Sequence, residues 1–212
     1  MKVGFIGLSH LGKTLMRASE MRGFATATSN LETCDIVMVT QDIEDHDDLS
    51  EAEACMQEAT ALPSGIPVVL VSQIVPGFTR RWRKVRGNLF YQVDTIIMNC
   101  ALERCLYPER FIIGCEDPAA ELPPPYAHYL AAFNCPVVKM NYESAELSKM
   151  AINYFLAKQL ETTNQLAKVA NLVRADWSSI IPGLQMDRRI GNRAYLQPGR
   201  SVRSSPTRCQ NH

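Results

Sequence analysis

Two stretches of this chain carry residue types at spacings that could do chemistry, and the first lies at its start. Lys2-Val3-Gly4-Phe5-Ile6 has the apolar run of a buried strand, and Gly7-Leu8-Ser9-His10-Leu11-Gly12 follows as a tight turn opening a helix. A strand, turn and helix in that order aim backbone N–H groups and the positive end of a helix dipole at one point, which suits the pyrophosphate of a dinucleotide. The full pattern has glycine at its first, third and sixth positions; Gly7 and Gly12 hold the outer two and Ser9 the middle one. NAD is the expected cofactor, met by Gly7, Ser9, His10, Leu11 and Gly12, with Thr40 and Ser72 at the ends of two later strands. After the second strand, read over Phe24–Thr28, such a unit keeps an acidic side chain for the adenosine ribose hydroxyls. Asn30, or else Ser29, takes that position here. An amide can bond a hydroxyl, but it lacks a carboxylate's charge-assisted bond and its repulsion of a 2′-phosphate, so preference for NAD over NADP is softened. The competing reading is that Ser29-Asn30 only forms a turn. The second stretch is helical. Lys149 and Asn153 stand four apart and Asn164 eleven further on, all on one stripe of a pattern running from Ser144 to Asp176 without glycine or proline.

Positioning these residues takes a scaffold, and the composition allows one. With 212 residues, 46% of them hydrophobic, the chain can bury a core as one α/β domain with an appendage. Its formal net charge is zero, so no global field favours nucleic acid, and no apolar run is long enough to span a membrane. The N-terminus reads as a strand rather than a signal peptide, and seven cysteines without a C-x-x-C pair point to reduced thiols in a cytoplasmic protein. Strands over Asp35–Thr40, Pro67–Ser72, Phe111–Gly114 and Pro136–Lys139 alternate with helices over 11–22, 49–61 and the run after Pro123. That alternation predicts a doubly wound, mostly parallel sheet followed by a long helix. The acidic run Asp42–Asp48 around His46 reads as a solvated loop, not a metal site, since it lacks the glycine turn of a cation loop. The basic patch Arg80, Arg81, Arg83, Lys84 and Arg86 around Trp82 reads as a solvent face. For the long helix, Ser144 is the expected cap, with Glu146 in the first turn.

Taken in order, these pieces resemble the N-terminal portion of the UDP-glucose/GDP-mannose dehydrogenase family. Gly7–Gly12 stands at its dinucleotide turn, Ser72–Thr79 at its serine, proline and glycine-bearing loop, and Tyr107–Gly114 at its P-x-R-hydrophobic-G strand. Glu146-Leu147-Ser148-Lys149-Met150-Ala151-Ile152-Asn153 is similar to its E-x-x-K-x-x-x-N helix, and Arg189-Ile190-Gly191 with Leu196–Gly199 resembles the segment before its catalytic cysteine. The resemblance implies NAD-dependent oxidation of a nucleotide sugar's primary alcohol to a carboxylate, through a cysteine-bound thiohemiacetal and thioester. It implies Lys149 as the group stabilising an oxyanion and Asn153 as the group orienting water or the oxyanion. It also implies a homodimer packed through the long helix. The expected organisation is an NAD-binding domain over 1–141, a central helical part over 142–187 and an incomplete, irregular segment over 188–212.

Departures from the family pattern are specific. Met98 stands where the family has a catalytic glutamate, Gln73 where it has a threonine, and Cys209 comes about three residues late for the nucleophile without its glycines. The resemblance is therefore to a truncated or diverged member. The expected activity is a nucleotide-sugar 6-dehydrogenase, impaired in this chain. The alternative is a non-catalytic relative of the NAD domain that acts by binding or association.

Overall fold

Val3–Ile6, Ile36–Val39 and Val68–Leu70 are apolar on both faces, so their strands must be covered on both sides, and all these residues are buried. In the computed structural model, which describes residues 1–41, 49–94 and 100–199, they form the centre of a seven-stranded sheet. The strands are β1 (Lys2–Ile6), β2 (Ala25–Ala27), β3 (Ile36–Val39), β4 (Val68–Leu70), β5 (Leu89–Gln92), β6 (Phe111–Cys115) and β7 (Val137–Asn141). They lie in the order β2-β1-β3-β4-β5-β6-β7, parallel throughout except for the antiparallel β5–β6 pair. The helices are α1 (His10–Met21), α2 (Ser50–Thr60), α3 (Phe78–Arg83), α4 (Ala101–Leu106), α5 (Pro124–Ala131), α6 (Tyr142–Leu172) and α7 (Trp177–Met186). This is the doubly wound α/β fold that the alternation predicts. Because β2 and β3 flank β1 on opposite sides, the sheet has its switch point at the carboxyl end of β1, where open α/β sheets bind ligands.

The sequence reading missed β5 and α4. Leu89-Phe90-Tyr91-Gln92 is only four residues long, and both of its pairings are with distant strands. The acidic run 42–48, Met98 and the tail with Cys209 lie outside the described residues.

The chain forms two compact units that divide within α6, one over Met1–Lys149 and one from Met150 onward. In the first unit an aromatic group of Phe24, Tyr129, Phe133 and Phe111 packs at ring-centroid distances of 5.1–5.5 Å. Arg80, Arg81 and Arg83 of the basic patch are partly exposed and make ion pairs at the surface, whereas Arg86 leaves it for the interior. Arg80 bonds Glu143 and Glu116, Arg81 pairs with Glu53 at 3.6 Å, and Arg83 with Glu116 at 3.7 Å. Arg86 is buried, donating to the carbonyls of Leu62 (2.6 Å), Pro63 (2.8 Å) and Ile66 (2.5 Å). Six cysteines, from Cys34 to Cys135, are free thiols.

The second unit holds the rest of α6, then α7 and a returning segment. Arg174 takes a left-handed conformation (φ 57°) just past α6, and the Ala175 N–H closes onto the Ala170 carbonyl at 2.8 Å, ending the helix without a glycine. Asp176 caps α7 through the N–H groups of Ser178 and Ser179. The segment after α7 is tied to α6 by Thr163 Oγ1 to the Tyr195 carbonyl at 2.6 Å and the Gly199 N–H to Asn164 Oδ1 at 2.7 Å. Among the described residues no helix is long and apolar enough to cross a membrane.

Two glycines give opposite expectations. A Cβ at Gly12 would lie 2.4 Å from both the Gly7 carbonyl oxygen and Thr40 Oγ1, whereas a Cβ at Gly183 in α7 meets nothing within 4 Å. Gly12→Ala should therefore cost about 1–3 kcal/mol despite alanine's better helix propensity. Gly183→Ala should add roughly 0.5–1 kcal/mol. Denaturant unfolding of the two variants beside the wild type checks both signs; a Gly12→Ala protein as stable as the wild type would contradict the close approach.

Candidate active site

The site grows from the turn after β1. Gly7 turns with φ at 77°, a left-handed conformation that only glycine adopts without strain, and a Cβ there would lie 2.8 Å from the Thr40 carbonyl oxygen. Thr40, fully buried at the end of β3, clasps the turn: its N–H donates to the Ile6 carbonyl at 2.8 Å and its hydroxyl to the Gly7 carbonyl at 2.6 Å. Gly12 lets the first turn of α1 come down onto this pair. Ser9 is the N-cap of α1; its Oγ donates to the Thr40 carbonyl at 3.0 Å and accepts from the Gly12 N–H at 3.3 Å. The one non-glycine in the pattern thus folds its side chain back onto the scaffold.

The other residues read from the sequence take distinct positions around this turn. Leu11 is buried beneath the helix start, and His10 is exposed, its carbonyl accepting from Thr14. Asn30 lies exposed three residues past the carboxyl end of β2, left-handed at φ 51°; its carbonyl accepts from Thr33, and its side chain makes no capping bond. Ser72 is buried, its hydroxyl accepting from the Gln41 N–H at 3.1 Å and its carbonyl from the Tyr91 hydroxyl at 3.0 Å, so it ties the ends of β3, β4 and β5 together.

The first two turns of α6 sit over the ends of β4 and β5. Asn141, not Ser144, caps this helix: its Oδ1 accepts from the Ser144 N–H at 2.9 Å. Glu146 is fully buried and serves a different helix, accepting the Gly77 N–H at 2.5 Å and the Thr79 N–H at 2.8 Å at the start of α3. Burial raises its carboxyl above the ordinary range, against the pull of the hydrogen bonds from Thr79 and Gly77. One turn later, Lys149 Nζ donates to the Asp94 carbonyl at 2.7 Å and meets Asp94 Oδ2 at 3.3 Å, with both side chains largely covered. Asp94 was missed in the sequence. The signal available was its position two residues past Gln92, a polar residue at a strand end. Asn153 is half-buried and belongs to the second unit, and Asn164, on the same stripe by spacing, spends its side chain on Gly199.

One small cavity of the first unit lies between α1, β5 and α4. Leu11 and Leu15 of α1, Val71 after β4, Gln92 at the end of β5, Asp94 beyond it, and Arg104 of α4 are among its lining residues. Leu11 of the glycine turn and Asp94, the partner of Lys149, thus face the same space. The turn also fits a dinucleotide: the first glycine makes the tight turn, the last lets helix and strand approach closely, and the middle side chain is drawn inward.

Known proteins resemble the chain in sequence and in fold. Residues 143–205 match the model of the UDP-glucose/GDP-mannose dehydrogenase family, central domain. UDP-glucose 6-dehydrogenase TuaD of Bacillus subtilis is 43% identical over 67 residues, 32% of this chain and 14% of that protein. YtcA of the same organism, also named for UDP-glucose 6-dehydrogenase, is 25% identical over 207 residues, 89% of this chain and 47% of that protein. The chain thus spans less than half the length of these curated relatives. Among solved structures, UDP-D-ManNAc dehydrogenase from Pyrococcus horikoshii superposes with a TM-score of 0.73 at 16% identity, over 90% of this chain and 59% of that one. UDP-glucose dehydrogenase from Pyrobaculum islandicum gives 0.69 at 19% identity, over 90% and 57%. By its matched central-domain segment, its relatives and its fold, the chain is similar to the UDP-glucose/GDP-mannose dehydrogenase family.

Proposed function

We propose that this chain supplies the NAD-binding part of a nucleotide-sugar 6-dehydrogenase, oxidising the primary alcohol of a UDP- or GDP-sugar toward a carboxylate. The observation that carries this reading is the placement of two groups at the carboxyl ends of the strands: the glycine turn clasped by Thr40 after β1, and Lys149 held by Asp94 after β5. The pyrophosphate is bound at the start of α1, where the N–H groups and dipole of a twelve-residue helix favour an anion. Asn30 bonds the adenosine ribose past β2, while Thr40 and Ser72 fix the strand ends beneath the cofactor. When bound, NAD supplies the hydride acceptor. Lys149 provides a fixed positive charge for oxygen of the reacting carbon, held ready by Asp94, and Asn153 is the family's orienting amide. Glu146 acts on the site through Lys149, since it anchors the same two turns of helix to the loop after β4.

The turn is tested without needing catalysis. Ser9→Asp keeps a good N-cap but sets a carboxylate beside the pyrophosphate. Calorimetry should find NAD bound by the wild type and weakened about tenfold or more in Ser9→Asp, equivalent to roughly 1.4 kcal/mol, in a variant that still unfolds cooperatively. Absence of NAD binding at millimolar cofactor, or equal binding by both proteins, would contradict the site.

Glu146 yields a pH dependence with a definite sign. Its carboxyl is raised in the fold above the ordinary 4.5, so the native state holds this proton more tightly than the unfolded chain does. Its contribution to stability is full below the unfolded value and is lost as pH rises through the folded one. The stability difference between wild type and Glu146→Gln should fall from pH 4.5 toward pH 7; a flat difference would show that burial does not hold the proton.

The reading extends to a homodimer. Within the second unit Tyr154, Phe155, Val169 and Leu172 are exposed on α6, a large apolar surface for one helix. Sedimentation at tens of micromolar should give a dimer, and a monomer at that concentration would contradict the extension.

A further inference from the structure

We propose that the dinucleotide site does not discriminate against a 2′-phosphate, so that the chain binds NADP as well as NAD, with Asn30 as the specificity-determining residue. The inference rests on the NAD-binding reading above. A site selective for NAD places a carboxylate just past β2, which bonds the ribose hydroxyls and repels a phosphate on the 2′ oxygen. Here Thr28, Ser29 and Asn30 follow β2, all exposed and all neutral.

The backbone at Asn30 is fixed, and its amide is uncommitted to the turn. Its left-handed conformation (φ 51°, ψ 46°) is held by two bonds to its carbonyl, from the Thr33 N–H at 3.1 Å and Thr33 Oγ1 at 2.8 Å. The carboxamide has both a donor and an acceptor, so it serves a phosphate oxygen as readily as a hydroxyl.

Of the nearby carboxylates, Asp35 and Glu20 are engaged elsewhere. Glu32 lies exposed in the turn after Asn30, two residues on. Asp35 itself accepts from the Lys2 N–H at 2.6 Å. Glu20, at the end of α1, accepts from Thr26 Oγ1 at 2.9 Å and pairs with Arg17 at 3.4 Å. Asp35 lies at the amino end of β3, whereas a dinucleotide lies at the carboxyl ends.

The test is calorimetric titration of the full chain with NAD and with NADP, repeated on Asn30→Asp and Ser29→Asp. Aspartate tolerates the left-handed region, so Asn30→Asp keeps the turn. The wild type should bind the two dinucleotides within about threefold, and Asn30→Asp should weaken NADP by about tenfold or more while leaving NAD within about threefold. NAD bound at least tenfold more tightly than NADP by the wild type, or an NADP-to-NAD ratio unchanged in both variants, would overturn the inference and leave the NAD reading intact. Binding of neither dinucleotide would overturn both.

Discussion

The close approach of α1 to β3 is the constraint on which the rest of the carboxyl end depends. Three backbone segments meet where Gly12 lies over the Gly7 carbonyl and Thr40 Oγ1, at a separation that leaves no room for a single methyl group. Thr40 makes this possible by spending its hydroxyl and both its backbone groups on the turn, donating to Ile6 and Gly7 and accepting from Ser9. A buried threonine without such partners would cost free energy, so the clasp satisfies its polar groups and fixes the turn together. The start of α1 is thereby set at the switch point of the sheet, which is where its dipole can act on an anion.

A second set of polar contacts fixes α6 to the same end of the sheet. Glu146 is a carboxylate with no cationic partner; two backbone N–H groups compensate its burial, and that compensation is geometric because it requires Gly77 and Thr79 to stay in register with the helix. Lys149 and Asp94 repeat the tie at β5 with opposite charges. Removing one member of such a buried group leaves the other unsatisfied, so these contacts specify position more than they add stability. The consequence for function is that a lysine ammonium is held near strand ends which the glycine turn also borders.

What could be read from the sequence was what is encoded locally. The strand, glycine turn and helix at residues 2–21 announce themselves through adjacent residues, and the E-x-x-K-x-x-x-N spacing marked α6 as the helix that matters. Glu146 belonged to that motif, yet its task was invisible because its partners lie 67 and 69 residues away. The same distance problem hid the pairing of Arg80 with Glu143, 63 residues on, and the burial of Arg86. β5 escaped because four residues carry too little periodicity, and its mixed pairing, parallel to β4 and antiparallel to β6, is a property of the whole sheet. Asn164 shares the stripe of Asn153 by spacing, and the task of its side chain, holding the Gly199 N–H 35 residues on, was equally invisible.

The central claim is the proposal that a dinucleotide binds over the turn of Gly7, Ser9 and Gly12 clasped by Thr40, with Asn30 past β2 at its ribose. Hydrogen–deuterium exchange of the full chain with and without NAD tests it most directly, because it reports location as well as binding. The account predicts slower exchange confined to peptides covering residues 7–13, 28–33 and 40–41. Protection elsewhere with none at these segments, or no change at saturating NAD, would contradict it.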